Sequence, residues 1–191
     1  MAEKLPSEQE INNHLVTALV ERWRPKTHTF HLPNGECTIT LEDVAYQLGL
    51  HIDGDAVTGS TVLACLYRGL CRATLISRQI EIGGCLLILQ SWAYDRIPML
   101  APRLHDNSIQ LFPLFVWTPY KNMNFMGQIP NIARARVPLI SFAVVEWHPS
   151  DRVMRQFGLQ QPIPQDPINL EKQHKMDLCV NNDYNWPQKH D

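Results

Sequence analysis

The chain has 191 residues, a net charge of −2, 45% hydrophobic and 19% charged content, enough for one domain with a real core and not the composition of a disordered chain. Lys and Arg are scattered, with Arg134 and Arg136 only a local pair, so the clustered cations that a nucleic-acid backbone requires are missing. The longest uncharged apolar run, Ile82–Tyr94, is too short to span a bilayer, and the start, Met1-Ala-Glu-Lys-Leu-Pro-Ser-Glu, is too polar and acidic for a signal peptide; a soluble intracellular protein is expected.

Ser7-Glu-Gln-Glu10 fits a capping box, and Ile11, Leu15, Ala18, Leu19 and Trp23 follow at helical spacing up to Pro25, which ends the helix. His28–Leu32 and Cys37–Leu41, joined by Pro33-Asn34-Gly35-Glu36, read as a β-hairpin. Thr40-Leu-Glu-Asp43 opens a short second helix through Leu48, with Gly49 at its C-terminal cap. His51–Ser60 reads as a loop. Thr61–Thr74 is a helix with a stripe of Val62, Leu63, Leu66, Tyr67, Leu70 and Cys71 opposite Arg68 and Arg72. Ile80–Arg96 is apolar nearly all round, the mark of a central helix, and Gly83-Gly84 near its start allows another backbone to come close. Arg96–Pro138 is rich in proline and reads as loops with one or two short strands, Gln110–Phe112 and Leu114–Trp117. Val137–Trp147 has the content of a buried strand, with a helix as the alternative. Ser150 then caps a short helix over Asp151–Phe157, closed by Gly158. From Gln160 onward the chain is polar and proline-rich, an extended and partly disordered tail. The fold class expected is α+β and mainly α-helical, with a helical core, an N-terminal β-hairpin and a short strand before a C-terminal helix.

The residues assemble no recognisable chemistry. Cys37, Cys65, Cys71, Cys85 and Cys179 lack C-x-x-C spacing and read as mostly buried, reduced thiols of a reducing compartment, not as disulfides or metal ligands. His28 and His31 cannot chelate from one strand, since residues three apart face opposite sides; they read as ordinary surface or hairpin-packing histidines. Asp53-Gly-Asp55 lacks the further oxygens of a calcium loop, Gly59-Ser60 lacks the frame of a nucleophile elbow, and Gly83-Gly84 lacks that of a phosphate loop. The lysines Lys4, Lys26, Lys121, Lys172, Lys175 and Lys189 lie near termini or in turn-rich segments, where nothing would depress a Schiff-base amine. No Asp/His/Asn cluster suits a two-metal phosphatase site. Trp23, Trp92, Trp117 and Trp147 could stack on bases, but each has an ordinary core reading. No catalytic, cofactor-binding or metal residue is assigned, and no cofactor is expected.

Ala18–Pro25, Thr27–Ala45, Leu66–Thr74, Glu81–Arg96 and Val144–Gln161 together resemble the plant mobile domain, the aminotransferase-like domain of the maintenance-of-meristems family. The resemblance covers about residues 14–162 in the right order. It implies a plant nuclear protein that acts in meristem maintenance and transposable-element silencing through protein interaction. A phosphatase-7-like protein or other silencing factors are the implied partners, with no membrane and no direct nucleic-acid contact. It also implies that this copy is shortened: the family continues after Val57-Thr-Gly59 through a long helical segment, while here the Leu-Tyr-Arg helix follows directly. The stretch between Arg96 and Trp117 is shortened as well. The domain would occupy residues 1–162, with an internal deletion near 59–60, and the tail residues 163–191. The alternatives are a transposon-derived nucleic-acid-binding remnant and a non-functional truncated product.

Overall fold

The computed structural model describes residues 11–49, 56–75, 85–100, 116–118, 134–142, 144–168 and 170. Helix α1 spans Asn13–Arg22, capped by Asn12, whose side-chain oxygen accepts from the Leu15 N–H at 3.1 Å. That satisfies one of the donors a helix start leaves orphaned. The helix thus begins later than the Ser7 pattern suggested. Ser7–Glu10 lies outside the described residues, and Ile11 and Asn12 are not helical.

Pro25 restricts Arg24, the residue before it, to extended backbone, and the chain is extended already at Trp23 (φ −69°, ψ 137°). Trp23–Arg24 becomes strand β1, pairing antiparallel with β2 (Thr29–Leu32), which pairs with β3 (Gly35–Cys37). The expected hairpin is present and gains a third strand, but its strands start at Thr29 and not His28, and run over Gly35–Cys37 and not Cys37–Leu41, whose last residues cap and open the next helix. The hairpin loop, Pro33-Asn34, is tighter than the sequence suggested, because Gly35 at φ +126° already pairs with Leu32. Helix α2 (Leu41–Leu48) has the reciprocal Thr40–Asp43 capping box, and Gly49 at φ +62° ends it.

Helix α3 runs over Ala56–Leu75, so the expected loop yields its last five residues to the helix. Gly59 would weaken such a turn by roughly 0.5–1 kcal/mol, yet Ser60 and Thr61 are held by a strand. The Ile140 N–H donates to Ser60 Oγ at 3.0 Å, and Thr61 Oγ1 donates to the Ile140 carbonyl at 3.3 Å. Helix α4 spans Leu86–Arg96, starting after the expected Ile80; Gly83-Gly84 lies outside the described residues.

Val137–Trp147 is neither one strand nor a helix. It folds into an antiparallel hairpin of β4 (Pro138–Ser141) and β5 (Val144–Trp147). Its turn passes through Phe142 at φ +49°, and the residue types there gave no turn signal. The expected C-terminal helix is two 3-10 turns, Ser150–Arg152 and Met154–Phe157, with Ser150 inside the first and not capping it. A long-range demand shapes this segment. Gln156 accepts from the Thr38 N–H and donates to the Thr38 carbonyl, both at 2.8 Å. Gly158 at φ +71° closes it as expected. The residues beyond are extended and tied down: Gln165 N–H donates to Asp151 Oδ2 at 2.9 Å, and Arg136 donates to the Gln165 side chain.

The expected centre, Ile80–Arg96, gives way to α3, which packs on α1, α2, β1, β4 and β5, while α4 packs on α1 and α2. Leu63, Leu66, Tyr67 and Leu70 of α3 are wholly buried, with Trp23, Phe30, Ile39, Leu89 and Trp92 around them. The class is α+β and mainly helical. No helix among the described residues is long and apolar enough to cross a membrane.

Candidate functional site

Two buried polar knots organise the interior. The first joins the start of α2 to the end of α4. Asp43 Oδ2 accepts from the Thr40 N–H (2.8 Å) and hydroxyl (2.7 Å), and Oδ1 takes the Arg96 guanidinium at 2.6 Å. Arg96 also donates to the Trp117 carbonyl, and its own carbonyl accepts from Val116 at 2.7 Å. Both charges are out of solvent. Burial and the neighbouring Asp43 charge push the Glu42 carboxyl up to about 7, against the pull of Arg96 and Arg134.

The second knot centres on His28, in the turn between β1 and β2, at φ +52°. Positive φ is uncommon for a residue with a side chain, though histidine tolerates it better than most. His28 Nδ1 lies 2.9 Å from the Trp147 carbonyl, and Nε2 lies 3.1 Å from Glu146 Oε2. The ring stacks on Trp23 (6.1 Å, 21°) and tilts against Tyr67 (5.3 Å). The Tyr67 hydroxyl donates to the Ile39 carbonyl at 2.7 Å and lies 2.9 Å from Thr38 Oγ1. The Trp23 indole N–H donates to Cys71 Sγ at 3.3 Å. Burial alone would strip the His28 proton. The interactions of His28 with Cys71 and Glu146 outweigh that burial and push the pKa up to about 10.

An imidazole paired to a carboxylate, with a thiol on the neighbouring indole N–H, invites comparison with a nucleophile, its proton carrier and an orienting group. A catalytic site also needs room for a substrate. The cleft beside His28, bordered by Lys26, Arg136, Trp147, Asp151 and Arg152, encloses about 10 Å³, space for a single water. Glu146 and Tyr67 are wholly buried. The cluster can hold a proton on His28 against Glu146; the cleft beside it does not seat a substrate-sized molecule. A wider open groove of about 460 Å³ lies between α1 and the end of α4, lined mainly by Leu15, Ala18, Leu19, Leu32, Ile97 and Leu100. It carries none of the residues of either knot.

His28 and His31 do not share one strand, since His28 lies in the turn before β2, and His28 is no ordinary surface or hairpin histidine. It is buried in the second knot, while His31 is exposed and 3.7 Å from Glu36. Sequence reasoning missed it because its partner Glu146 lies on the other hairpin, far along the chain. Trp23 and Trp92 are core, as expected. Trp117 and Trp147 are half-buried beneath the Arg155 and Arg136 guanidinium groups at 5.7 and 5.5 Å. Cys37 is buried, Cys65 and Cys71 are half-buried, and Cys85 is exposed, against the expectation of buried thiols. Lys26 is exposed; the other lysines, Cys179, Asp53 and Asp55 lie outside the described residues. Among the described residues no group of three or more His, Cys, Asp or Glu could hold a metal ion.

The plant mobile domain family matches residues 4–62 and 108–190. The unmatched interval holds most of α3 and all of α4. A serine/threonine-protein phosphatase 7 long form homolog of Arabidopsis thaliana is 29% identical over 325 aligned positions, taking in 95% of this chain and 24% of its own length. From the same plant, protein MAIN-LIKE 1 is 27% identical over 81% of this chain and 55% of its own. Protein MAINTENANCE OF MERISTEMS is 27% identical over 88% of this chain and 62% of its own. The chain thus spans less than two thirds of the length of these relatives. No solved structure matches it. The matched residues are most of the chain and carry the three-stranded sheet, α2, the start of α3 and the β4–β5 hairpin with its Glu146; this chain belongs to the plant mobile domain family.

Proposed function

We propose that this protein is a non-enzymatic interaction domain of the plant nucleus, acting in meristem maintenance and transposable-element silencing, with a phosphatase-7-like protein or another silencing factor as partner. The observation that carries this reading is the family match, together with relatives named for meristem maintenance and for phosphatase 7. The polar knots favour an interaction role, since their charged groups are spent on tying elements together and, among the described residues, the cleft beside His28 encloses only about 10 Å³. We propose further that the chain is a shortened copy. The alignment to the phosphatase 7 homolog runs over 325 positions although the whole chain has 191 residues, so a large part of that relative's aligned stretch has no counterpart here. Helix α3 then bridges the deletion near 59–60, held there by β4 through Ser60 and Thr61.

The test is retention of a plant phosphatase-7-like protein on the immobilised full chain, beside duplex DNA at physiological ionic strength, with a fluorescent fusion to report location in plant cells. Retention of the protein and not the DNA, with nuclear enrichment, is the expected result. Salt-dependent retention of DNA alone would replace this reading by a nucleic-acid-binding one. Size-exclusion chromatography with a thermal melt tests the shortened copy: a single peak and a cooperative transition are expected, and soluble aggregates with a broad melt would mark a non-functional product.

A further inference from the structure

Beyond the two 3-10 turns the chain forms an extended arm with a repeat of its own. Gln161, Pro164, Pro167 and Leu170 are half-buried, while Pro162, Ile163, Gln165, Asp166 and Ile168 between them are exposed. A strand would alternate every second residue; three residues per turn is the repeat of a polyproline helix. The sequence dictates it. Pro162, Pro164 and Pro167 hold φ at about −65°. Gln161, Ile163 and Asp166 each precede a proline and are pushed into the extended region. Gln165, under neither constraint, is held by hydrogen bonds. Its N–H donates to Asp151 Oδ2 at 2.9 Å, and its side chain accepts from Arg136. One turn earlier, the Gln161 side chain accepts from the Met154 N–H at 2.9 Å and donates to the Asp151 carbonyl at 2.7 Å. One edge of the arm is thus fastened to the domain and two edges face solvent.

We infer that this arm, Pro162–Ile168, is a preformed polyproline ligand whose Pro162–Ile163 face docks into an aromatic-lined groove of a partner protein, with a cation beside the groove for Asp166. This deepens the interaction reading above by naming a surface and a kind of partner. Ile163 is 96% exposed between two prolines, an apolar side chain that the domain itself leaves in water. Asp166 follows one turn later on the same edge. Prolines lose little conformational freedom on binding, and their carbonyls accept from the indole and phenol donors that line such grooves. Addition of the arm to a β-sheet is barred. A ladder needs N–H groups at alternate positions; on one edge positions 162 and 164 are proline, and on the other the Gln165 N–H is taken by Asp151.

The experiment titrates the full chain onto immobilised purified SH3 and WW domains, two classes of polyproline-reading groove. Saturable binding to at least one is expected, and Ile163→Asp should weaken it about ten-fold or more. Phe142→Asn alters a side chain just as exposed on the β4–β5 turn and should leave binding unchanged. No saturable binding to either class would overturn the proposal, and so would equal losses from the two substitutions, which would mark mere apolar adhesion. Asp151→Ala removes the acceptor of the Gln165 N–H. Amide exchange at Gln165 should speed up, and binding should weaken about three-fold because the arm must then be ordered on docking; unchanged exchange would refute the preformed arm. If the titrations fail while Ile163→Asp still retains the phosphatase-7-like protein as the unaltered chain does, the arm is wrong and the interaction role stands. If the titrations succeed and that protein is not retained, the arm stands and the named partner falls.

Discussion

The two buried ion pairs are built on opposite principles. Asp43–Arg96 obeys every local rule: the aspartate is the third residue of a capped helix and has no positive-φ backbone. His28–Glu146 breaks one. Its histidine sits at φ +52° and is a group that can lose its charge. The first pair clamps α2 to α4 and can do little else. The second draws the turn before β2 onto β5 and responds to conditions. Stability and responsiveness are thus assigned to different knots of one core.

The largest expected effect comes from breaking the clamp. Arg96→Met leaves Asp43 buried with its capping hydrogen bonds but no countercharge, a change that costs about 3–5 kcal/mol and should lower the melting temperature by about 10 °C in a circular-dichroism melt. Asp43→Asn in the same background keeps an oxygen for the cap and removes the stranded charge, so part of the loss should return. Glu146→Gln should be milder, about 1–2 kcal/mol, because His28 can drop its proton and still hydrogen-bond to an amide. Equal losses from Arg96→Met and Glu146→Gln would erase the distinction between the knots.

The pH dependence sharpens it. His28 is raised from an unfolded value near 6.5 to about 10. Its contribution is therefore complete below about pH 6.5 and is lost as pH rises toward 10. His148 runs the other way. Burial lowers it to about 4, despite the Ala135 carbonyl 3.2 Å from its Nδ1, so its contribution is present above about pH 6.5 and is lost as pH falls toward 4. Denaturant midpoints at about pH 5, about pH 7 and about pH 9 should peak in the middle. Glu146→Gln should flatten the alkaline limb and leave the acid limb; Arg96→Met should lower the curve and keep its shape.

The same contrast explains what could be read in advance. Thr40-Leu-Glu-Asp43, Gly49 and Pro33-Asn34-Gly35 are local signals whose chemistry is complete within a few residues, and each element they announced is present; Gly158 marks the expected stop, but of a 3-10 turn and not of the expected helix. Trp23 was legible as core from helical spacing, though it sits in β1, and Trp92 from its nearly all-apolar helix. The His28 knot was not, since its members come from a turn, helix α3 and strand β5, and only folding brings them together. The start of α3 and the C-terminal 3-10 turns failed for a related reason. Ser60 and Thr61 are fixed by β4, and Gln156 by Thr38, long-range bonds that outweigh local preference. The β4–β5 turn was hidden because Phe142 adopts a conformation that its residue type disfavours.

That residue supplies the smallest and most direct test of the comparison. Among the described residues other than glycine, His28 and Phe142 alone have positive φ, at +52° and +49°. They should respond to one substitution with opposite signs. Left-handed backbone costs a residue with a side chain about 1–2 kcal/mol, and asparagine bears it best. At Phe142, 96% exposed, the ring offsets little of that strain, so Phe142→Asn should stabilise the protein by about 1 kcal/mol, read as a higher denaturant midpoint with an unchanged slope. At His28 the backbone strain is held by Glu146, the Trp147 carbonyl and the faces of Trp23 and Tyr67. His28→Asn relieves the same strain and should still destabilise, because the lost contacts outweigh the relief. Should Phe142→Asn instead lower the midpoint, the Phe142 ring would be contributing contacts of its own, and the strain at the two turns would be held in the same way.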